Sequence, residues 1–281
     1  MPHGQLYVVA TPIGNLEDIS ARALRVLREA DLIAAEDTRH SAKLLDHFGI
    51  HTPLMSYHEH NETARAEELV AALRTGKNIA LITDAGTPCI SDPGYRVVRA
   101  AHEAGISVMT VPGPSSVVAA LSISGLPTDR YTFHGFFPRK HKHVDELFDL
   151  IRNVGGTHIF FEAPSRLLST LAELNQALGS VECCVARELT KMFEEAVPGS
   201  PSELIDYFST APVRGECVVM VHVPHDAAHD AARYTPEIIQ EKVQEAMARE
   251  GLSRRDAIRQ VAGELHLPRN VVYAAATHEA P

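Results

Sequence analysis

A chain of 281 residues, 45% of them hydrophobic and 22% charged, can bury a sizeable core as one large domain or two moderate ones. Its formal charge of −10 argues against broad nucleic-acid binding, because phosphates are met mainly by Lys and Arg, so any such surface must be a local patch. No apolar run approaches the roughly 20 residues of a membrane helix, and Met1 to Gln5 lacks the charged and then apolar pattern of an export signal.

From Leu6 to about Gly125, short apolar runs alternate with amphipathic stretches, the signature of βαβ units and a parallel sheet. Strands are expected at Leu6 to Ala10, Leu32 to Ala35, Ile79 to Thr83 and Val108 to Val111. Helices are expected at Ile19 to Ala30, Glu62 to Thr75 and Arg96 to Ala104, the last two stopped by Gly76 and Gly105. From Tyr131 to Val223 the alternation is less clean, with apolar runs at His158 to Phe161, Cys183 to Ala186 and Cys217 to Val223. This reads as a second α/β domain. A linker, Pro224 to Arg233, precedes a helical tail that Gly251 and Pro268 divide into three pieces. Thr235 with Pro236, and Ser253 with Asp256, mark helix starts in that tail. The expected division is therefore α/β at 1–125, α/β at 126–224 and a helical module at 234–281. Four cysteines, Cys89, Cys183, Cys184 and Cys217, have no zinc-ligand spacing and suit a reducing cytoplasm.

Ligands of a parallel sheet bind outside the carboxyl ends of its strands. Four loops leave the four expected strands: Thr11 to Asn15, Glu36 to Arg39, Asp84 to Gly94 and Pro112 to Ser116. Gly permits close backbone approach and Pro stiffens a loop, so these segments suit fixed contacts to a small molecule. Neither G-x-G-x-x-G after the first strand nor G-x-x-x-x-G-K-[ST] occurs, which removes the main support for dinucleotide and P-loop readings. Poor in Lys and rich in carboxylates and hydroxyls, the loops suit an adenosine and amino-acid ligand bearing a sulfonium. The plainer alternative is that Pro and Gly simply make tight turns here.

Taken together, Thr11 to Ile19, Glu36 to Arg39, Gly86-Thr87-Pro88, Ser91-Asp92-Pro93-Gly94 and Pro112 to Ser115 resemble the tetrapyrrole-methylase superfamily. The resemblance continues through Phe160 to Pro164, Arg187 to Thr190, Gly215-Glu216 and the tail, and is strongest to the branch acting on ribosomal RNA. It implies two α/β domains with S-adenosylmethionine in the cleft between them, usually in a homodimer. It also implies transfer of a methyl group to the ribose 2′-hydroxyl of a cytidine in 16S ribosomal RNA of the small subunit. Carried over by position, Asp84, Ala85, Gly86, Thr87 and Ile90 wrap the cofactor, Ser115 and Ser116 contact it, Pro12 lies under it and Phe161 completes the pocket. Corrin and siroheme members carry Gly-Asp-Pro where this chain has Gly86-Thr87-Pro88, which favours the RNA branch.

A ribose hydroxyl benefits from a base or a cation as its proton leaves. Glu36, Asp37 and Arg39 are the first candidates, with Asp84, Glu162 and Lys191 behind them. Each has a structural alternative: Glu36 and Asp37 as caps of a helix starting near Ser41, Asp84 as a local turn, Glu162 and Lys191 as salt-bridge partners. His58 and His60, two apart and without a third ligand at metal spacing, suggest a rim loop and not a metal site. RNA contacts are expected from Arg139 and Lys140 and from Arg254, Arg255 and Arg259 of the tail, whose break at Leu265 to Pro268 resembles a helix-turn-helix. Competing readings are C-methylation of a tetrapyrrole and a non-catalytic nucleotide-binding module.

Overall fold

The structure, a computed structural model, describes residues 3–210, 212–224, 234–265, 267 and 269–277. In the first half, β1 (Gln5–Val9), β2 (Leu32–Ala35), β3 (Leu54–Ser56), β4 (Ile79–Ile82) and β5 (Ser107–Val111) form a sheet of order β3-β2-β4-β1-β5. Every pairing in it is parallel. Both faces are therefore covered, which is why β4 is buried at all four positions and reads as an unbroken apolar run. Helix α1 (Ala21–Glu29) covers one face with α2 (Thr38–His47), while α3 (Glu62–Arg74) and α4 (Tyr95–Glu103) cover the other. Ser20 starts α1 by accepting from Ala23 N at 3.0 Å. Gly76 and Gly105 follow α3 and α4 with φ of 93° and 68°, the left-handed exit that only Gly adopts without strain.

The expected first-half strands and helices are all present, with ends shifted by up to two residues, save that the helix expected near Ser41 starts three residues earlier, at Thr38, where Asp37 caps it. Expected boundaries missed β3, a three-residue edge strand behind Pro53.

The second sheet has the order β6-β7-β10-β8-β9, built from β6 (Tyr131–Phe136), β7 (Gly156–Glu162), β8 (Glu182–Arg187), β9 (Glu195–Gly199) and β10 (Cys217–Val223). Only β6 and β7 run parallel; the other pairings are antiparallel, which accounts for the broken alternation in the sequence. Helices α6 (His141–Val154), α7 (Leu167–Leu178) and α8 (Pro201–Ser209) pack on one face around Phe160, Val185 and Val219. The other face, through Ile159, Val218 and Met220, receives Val117, Ala120 and Leu121 of α5 (Ser116–Ile123). Helix α5 thus leaves the first sheet's rim and lies on the second sheet, holding the two halves together beside the loops that launch it.

A buried histidine, His158, stacked on the half-buried His134, gives the second sheet a pH dependence. His158 is 1% exposed, its Nδ1 lies 2.9 Å from His134 Nε2, and its Nε2 has no partner among the described residues. Burial pushes the His158 imidazole down to about 4, and the neighbouring His134 and His222 add to the shift. An unfolded histidine titrates near 6.5, so the unfolded chain binds this proton more readily. The stability is complete above roughly pH 6.5 and falls as the pH drops toward 4, by up to about 3 kcal/mol for this group. Urea melts between pH 4 and pH 7 should show that slope, and His158→Phe should flatten it; an unchanged slope would remove His158 as its source.

The tail consists of α9 (Pro236–Glu250), α10 (Arg254–Glu264) and α11 (Arg269–Thr277). Pro236 occupies the first turn of α9, and Ser253 Oγ accepts from Asp256 N at 3.2 Å to start α10. Ile239, Val243, Ile258, Val261 and Val272 form a core whose members all come from this segment. The expected linker lies, from residue 225 to 233, outside the described residues.

Candidate active site

Because β1, β2, β4 and β5 are parallel, the loops at their carboxyl ends meet on one rim. Thr11 and Gly86 form an antiparallel bridge there, Gly86 N donating to Thr11 O at 3.1 Å and Thr11 N to Gly86 O at 2.9 Å. Thr87 Oγ1 donates to Pro114 O at 3.0 Å, tying the third loop to the fourth. Gly86, at φ +86°, turns the chain back at the point where it touches the first loop. Ser115 starts α5 in an extended conformation without a side-chain capping bond, which leaves its hydroxyl available to a ligand.

These loops form one wall of a cleft of about 250 Å³, and the second sheet supplies the other. A bulge sets the second wall: Phe133 pairs with Ile159 and Phe136 with Phe161, so β6 carries one residue more than β7 between them, at Gly135 with φ +71°. Phe136, 63% exposed, consequently stands at the mouth against the edge of Phe161. The hairpin loop between β8 and β9 closes the remaining side. An added Cβ on Gly14 would lie 3.0 Å from Leu189 O and 2.9 Å from Lys191 Cγ, so the first-sheet loop and the hairpin touch only because residue 14 lacks a side chain.

Asp84, Ala85, Gly86, Thr87, Ile90, Ser115, Ser116 and Phe161, drawn from three separate segments, all line this cleft. Pro12 does not; it is buried behind its neighbour Ile13, which does.

Among the catalytic candidates, Glu36 lines the cleft and its Oε2 accepts from Thr83 Oγ1 at 2.6 Å. Asp37 and Arg39 are not among the lining residues. Asp37 caps α2, Oδ1 accepting from Arg39 N at 2.8 Å, and its two oxygens take Arg39 Nε at 3.2 Å and Nη2 at 2.9 Å. Those bonds from Arg39 hold the Asp37 carboxyl down at about 2, a firmly ionised cap and a poor proton acceptor. Asp84 accepts from Asp37 N at 3.2 Å, a tie between loops and not the local turn that the sequence suggests. Glu162, fully buried at its carboxylate, is occupied by Ala163 N, Arg166 and Thr170 Oγ1 at 2.8, 3.0 and 2.5 Å. Lys191 pairs with Glu188 at 2.9 Å, so both salt-bridge alternatives describe what the residues do.

Three lining carboxylates are not among the sequence candidates: Glu188, which pairs with Lys191, and Asp92 and Glu216. Burial first, and then the charges of Glu36, Asp84 and Glu216, push the Asp92 carboxyl up to about 6, partly offset by the neighbouring Thr83 hydroxyl. Burial also raises Asp84. Glu36, Asp84, Asp92 and Glu216 thus face one another from three segments, and among the described lining residues Lys191 is the one Lys or Arg. Around them Ile13, Ile90, Val117, Phe161 and Val218 are apolar. A phosphate chain would be repelled here, whereas a flat apolar body with a positive centre would be welcome.

The expected RNA contacts lie elsewhere. Arg139 and Lys140 are exposed just beyond Phe136, at the start of α6. His58 and His60, past the end of β3, hold their rings 6.0 Å apart, with His58 Nε2 3.1 Å from Asn61 Nδ2.

Comparison with known proteins decides the family. Residues 5–205 match the family described as Tetrapyrrole (Corrin/Porphyrin) Methylases. The chain belongs to the tetrapyrrole methylases. Within them it is 46% identical over 272 residues to the ribosomal RNA small subunit methyltransferase I of Synechocystis sp., covering 96% of each chain. Its counterpart of the same name in Pseudomonas aeruginosa is 50% identical over 224 residues, 79% of each chain. Among solved structures, cobalt precorrin-4 methyltransferase superposes with a TM-score of 0.56 at 19% identity, over 78% of this chain and 94% of that one. Diphthine synthase superposes with 0.60 at 15% identity, over 78% and 89%. At such identities these two tetrapyrrole-methylase neighbours establish the fold alone, two α/β sheets flanking a cleft.

Proposed function

We propose that the protein uses S-adenosylmethionine to methylate the ribose 2′-hydroxyl of a cytidine in small-subunit ribosomal RNA. The observation that carries this reading is the cleft itself, rich in carboxylates and poor in Lys and Arg on the loops of a tetrapyrrole methylase. The names of relatives covering 96% of their length support the RNA substrate.

The cleft residues fit the cofactor. Backbone at Ala85, Gly86 and Thr87 and the hydroxyls of Ser115 and Ser116 would hold its polar groups; Ile13, Phe161 and Val218 would flank its base. Glu36, Asp84 and Glu216 would balance its positive charge. When bound, it supplies a methyl group already activated on sulfur. The protein's own tasks are then alignment, exclusion of water and acceptance of one proton. Asp92 is the residue assigned to that proton: it lines the cleft, and near neutral pH it is ionised yet basic enough to accept. Glu36, bonded to Thr83, helps to keep Asp92 in that range. The four cysteines are free thiols, which supports a reducing cytoplasm, and the working form is taken to be the homodimer that the family resemblance implies.

Gly86→Val tests the placement of the cofactor. The protein side has room, since an added Cβ would meet Ile13 Cγ2 at 3.4 Å and Pro114 O at 3.8 Å, but φ +86° strains any β-branched residue and its methyls enter the cleft. Calorimetry should find at least roughly tenfold weaker S-adenosylmethionine binding in a variant that stays folded with about 1–3 kcal/mol of backbone strain. Unchanged affinity would move the cofactor elsewhere.

The reaction itself is tested by incubating the protein with radiolabelled methyl donor and small subunits lacking the modification. Alkaline cleavage needs a free 2′-hydroxyl, so the labelled linkage should survive it. Label recovered as a base-modified mononucleotide would refute ribose methylation.

A further inference from the structure

The surface that reads the RNA can be narrowed within the C-terminal helices, provided that the RNA-modifying function above holds. Helix α11 turns Val272, Ala275 and Ala276 into the three-helix core, so Arg269, Asn270, Tyr273 and Ala274 face outward. Tyr273 is 60% exposed, an aromatic ring that the module's own packing does not use. The arginines of α10 are differently placed. Arg254 Nη2 donates to Ala276 O, bracing the start of α10 against the end of α11. Arg259 pairs with Asp256 at 3.1 Å. Charge is segregated as well: α9 carries four Glu against one Lys and one Arg, whereas α10 and α11 together carry four Arg against one Asp and one Glu, and α11 has no acid.

We propose that the outward face of α11, Arg269, Asn270 and Tyr273, is the RNA-reading surface of this protein, with Arg255 of α10 as an accessory phosphate contact. Helix α10, a connection of four residues at 265–268 and α11 follow one another as a helix-turn-helix does, and there the second helix presents its N-terminal residues to nucleic acid. The side chains match the task. A guanidinium meets phosphate or a guanine edge, an amide reads a base edge, and a tyrosine ring stacks on an unpaired base. The acidic α9 would be repelled by phosphate, so the charge distribution also turns α10 and α11 toward the RNA. Arg254, by contrast, is a brace for α11, and Arg259 is already half-neutralised.

Binding of full-length protein to transcribed small-subunit ribosomal RNA and to purified small subunits, followed across a salt series, tests this. Arg269→Ala and Tyr273→Ala should each weaken RNA binding about tenfold or more. Arg259→Ala should change it less than about threefold, and S-adenosylmethionine affinity and the far-ultraviolet dichroism should not move. Arg269→Lys should recover part of the affinity, since it restores the charge without the fork. If Arg269→Ala and Tyr273→Ala bind RNA as the wild type does while the wild type methylates small subunits, the face is misassigned and the function stands. If they instead alter sedimentation without altering RNA affinity, the face joins two copies of this chain and the proposal is overturned. A wild type that neither binds nor methylates the RNA would overturn the function, and this inference with it.

Discussion

Asp92→Asn should lower the rate of methyl transfer by about 10² to 10⁴ while leaving S-adenosylmethionine affinity within a few-fold of the wild type. Removing a general base has that consequence when the hydroxyl it serves is as weakly acidic as a ribose 2′-OH. The pH profile carries more information than the loss. Asp92 sits at about 6 because it is half-buried and because Glu36, Asp84 and Glu216 face it. A base must be ionised to act, so wild-type turnover should rise from pH 5 to pH 7 and level off above it. Asp92→Asn should lack that limb. Stability separates this from simple damage. The native state holds the Asp92 proton more tightly than the unfolded chain, whose Asp titrates near 3.9, so its contribution is complete at low pH and is lost as the pH rises through 6. At neutral pH the variant, relieved of a costly charge, should melt no lower than the wild type. Glu36→Gln should leave a basic limb but shift it to lower pH, because one of the charges that raise Asp92 is gone. A profile unchanged in Asp92→Asn would assign the proton to another group.

How far the sequence reveals this molecule depends on where each residue sits in its sheet. Strands β2, β4, β7, β8 and β10 are legible because each is buried for most of its length and so reads as an apolar run, and β1 and β5, less buried, still show as short Val-containing runs. The strands that escape, β3, β6 and β9, are three of the four edges; the fourth, β5, is legible. An edge strand needs only one paired side, so β3 can stop after three residues, β6 can carry a bulge at Gly135, and β9 can include Glu195 and Pro198. The rim loops are legible for a different reason. Parallel strands oblige their carboxyl ends to converge, so loops far apart in sequence had to meet, and ten residues named from them and from β7, Glu36 and Glu162 included, line one cleft. What a sequence does not display is the pairing of charges across those loops. Asp37 and Arg39, two residues apart, satisfy each other locally, whereas Asp92 acquires its character from Glu36, Asp84 and Glu216, which sit 56, 8 and 124 positions away.

Truncation after Pro224 should leave S-adenosylmethionine binding intact and reduce methyl transfer to small subunits by at least about a hundredfold. The tail's core is drawn wholly from residues 234–276, and none of the cleft-lining residues lies beyond Val218, which supports the proposal of a separate module at 234–281. The need for it follows from charge. Residues 1–233 carry 20 Lys or Arg against 29 Asp or Glu, and the cleft brings Glu36, Asp84, Asp92 and Glu216 together. A polyanion brought to such a body has little to hold it beyond exposed cations such as Arg139 and Lys140 at the start of α6. Helices α10 and α11 add four arginines, and several phosphate contacts in one patch give an affinity that falls steeply with salt. Full-length protein should therefore lose activity on small subunits between 50 and 300 mM salt, while the truncated protein should show a low rate with a shallow dependence. Calorimetry with S-adenosylmethionine and single-turnover transfer, run on both proteins, separate the outcomes. Equal transfer rates would reduce the tail to a packing or self-association element. Loss of donor binding on truncation would show instead that the tail completes the cofactor fold, and that the boundary near residue 224 is misplaced.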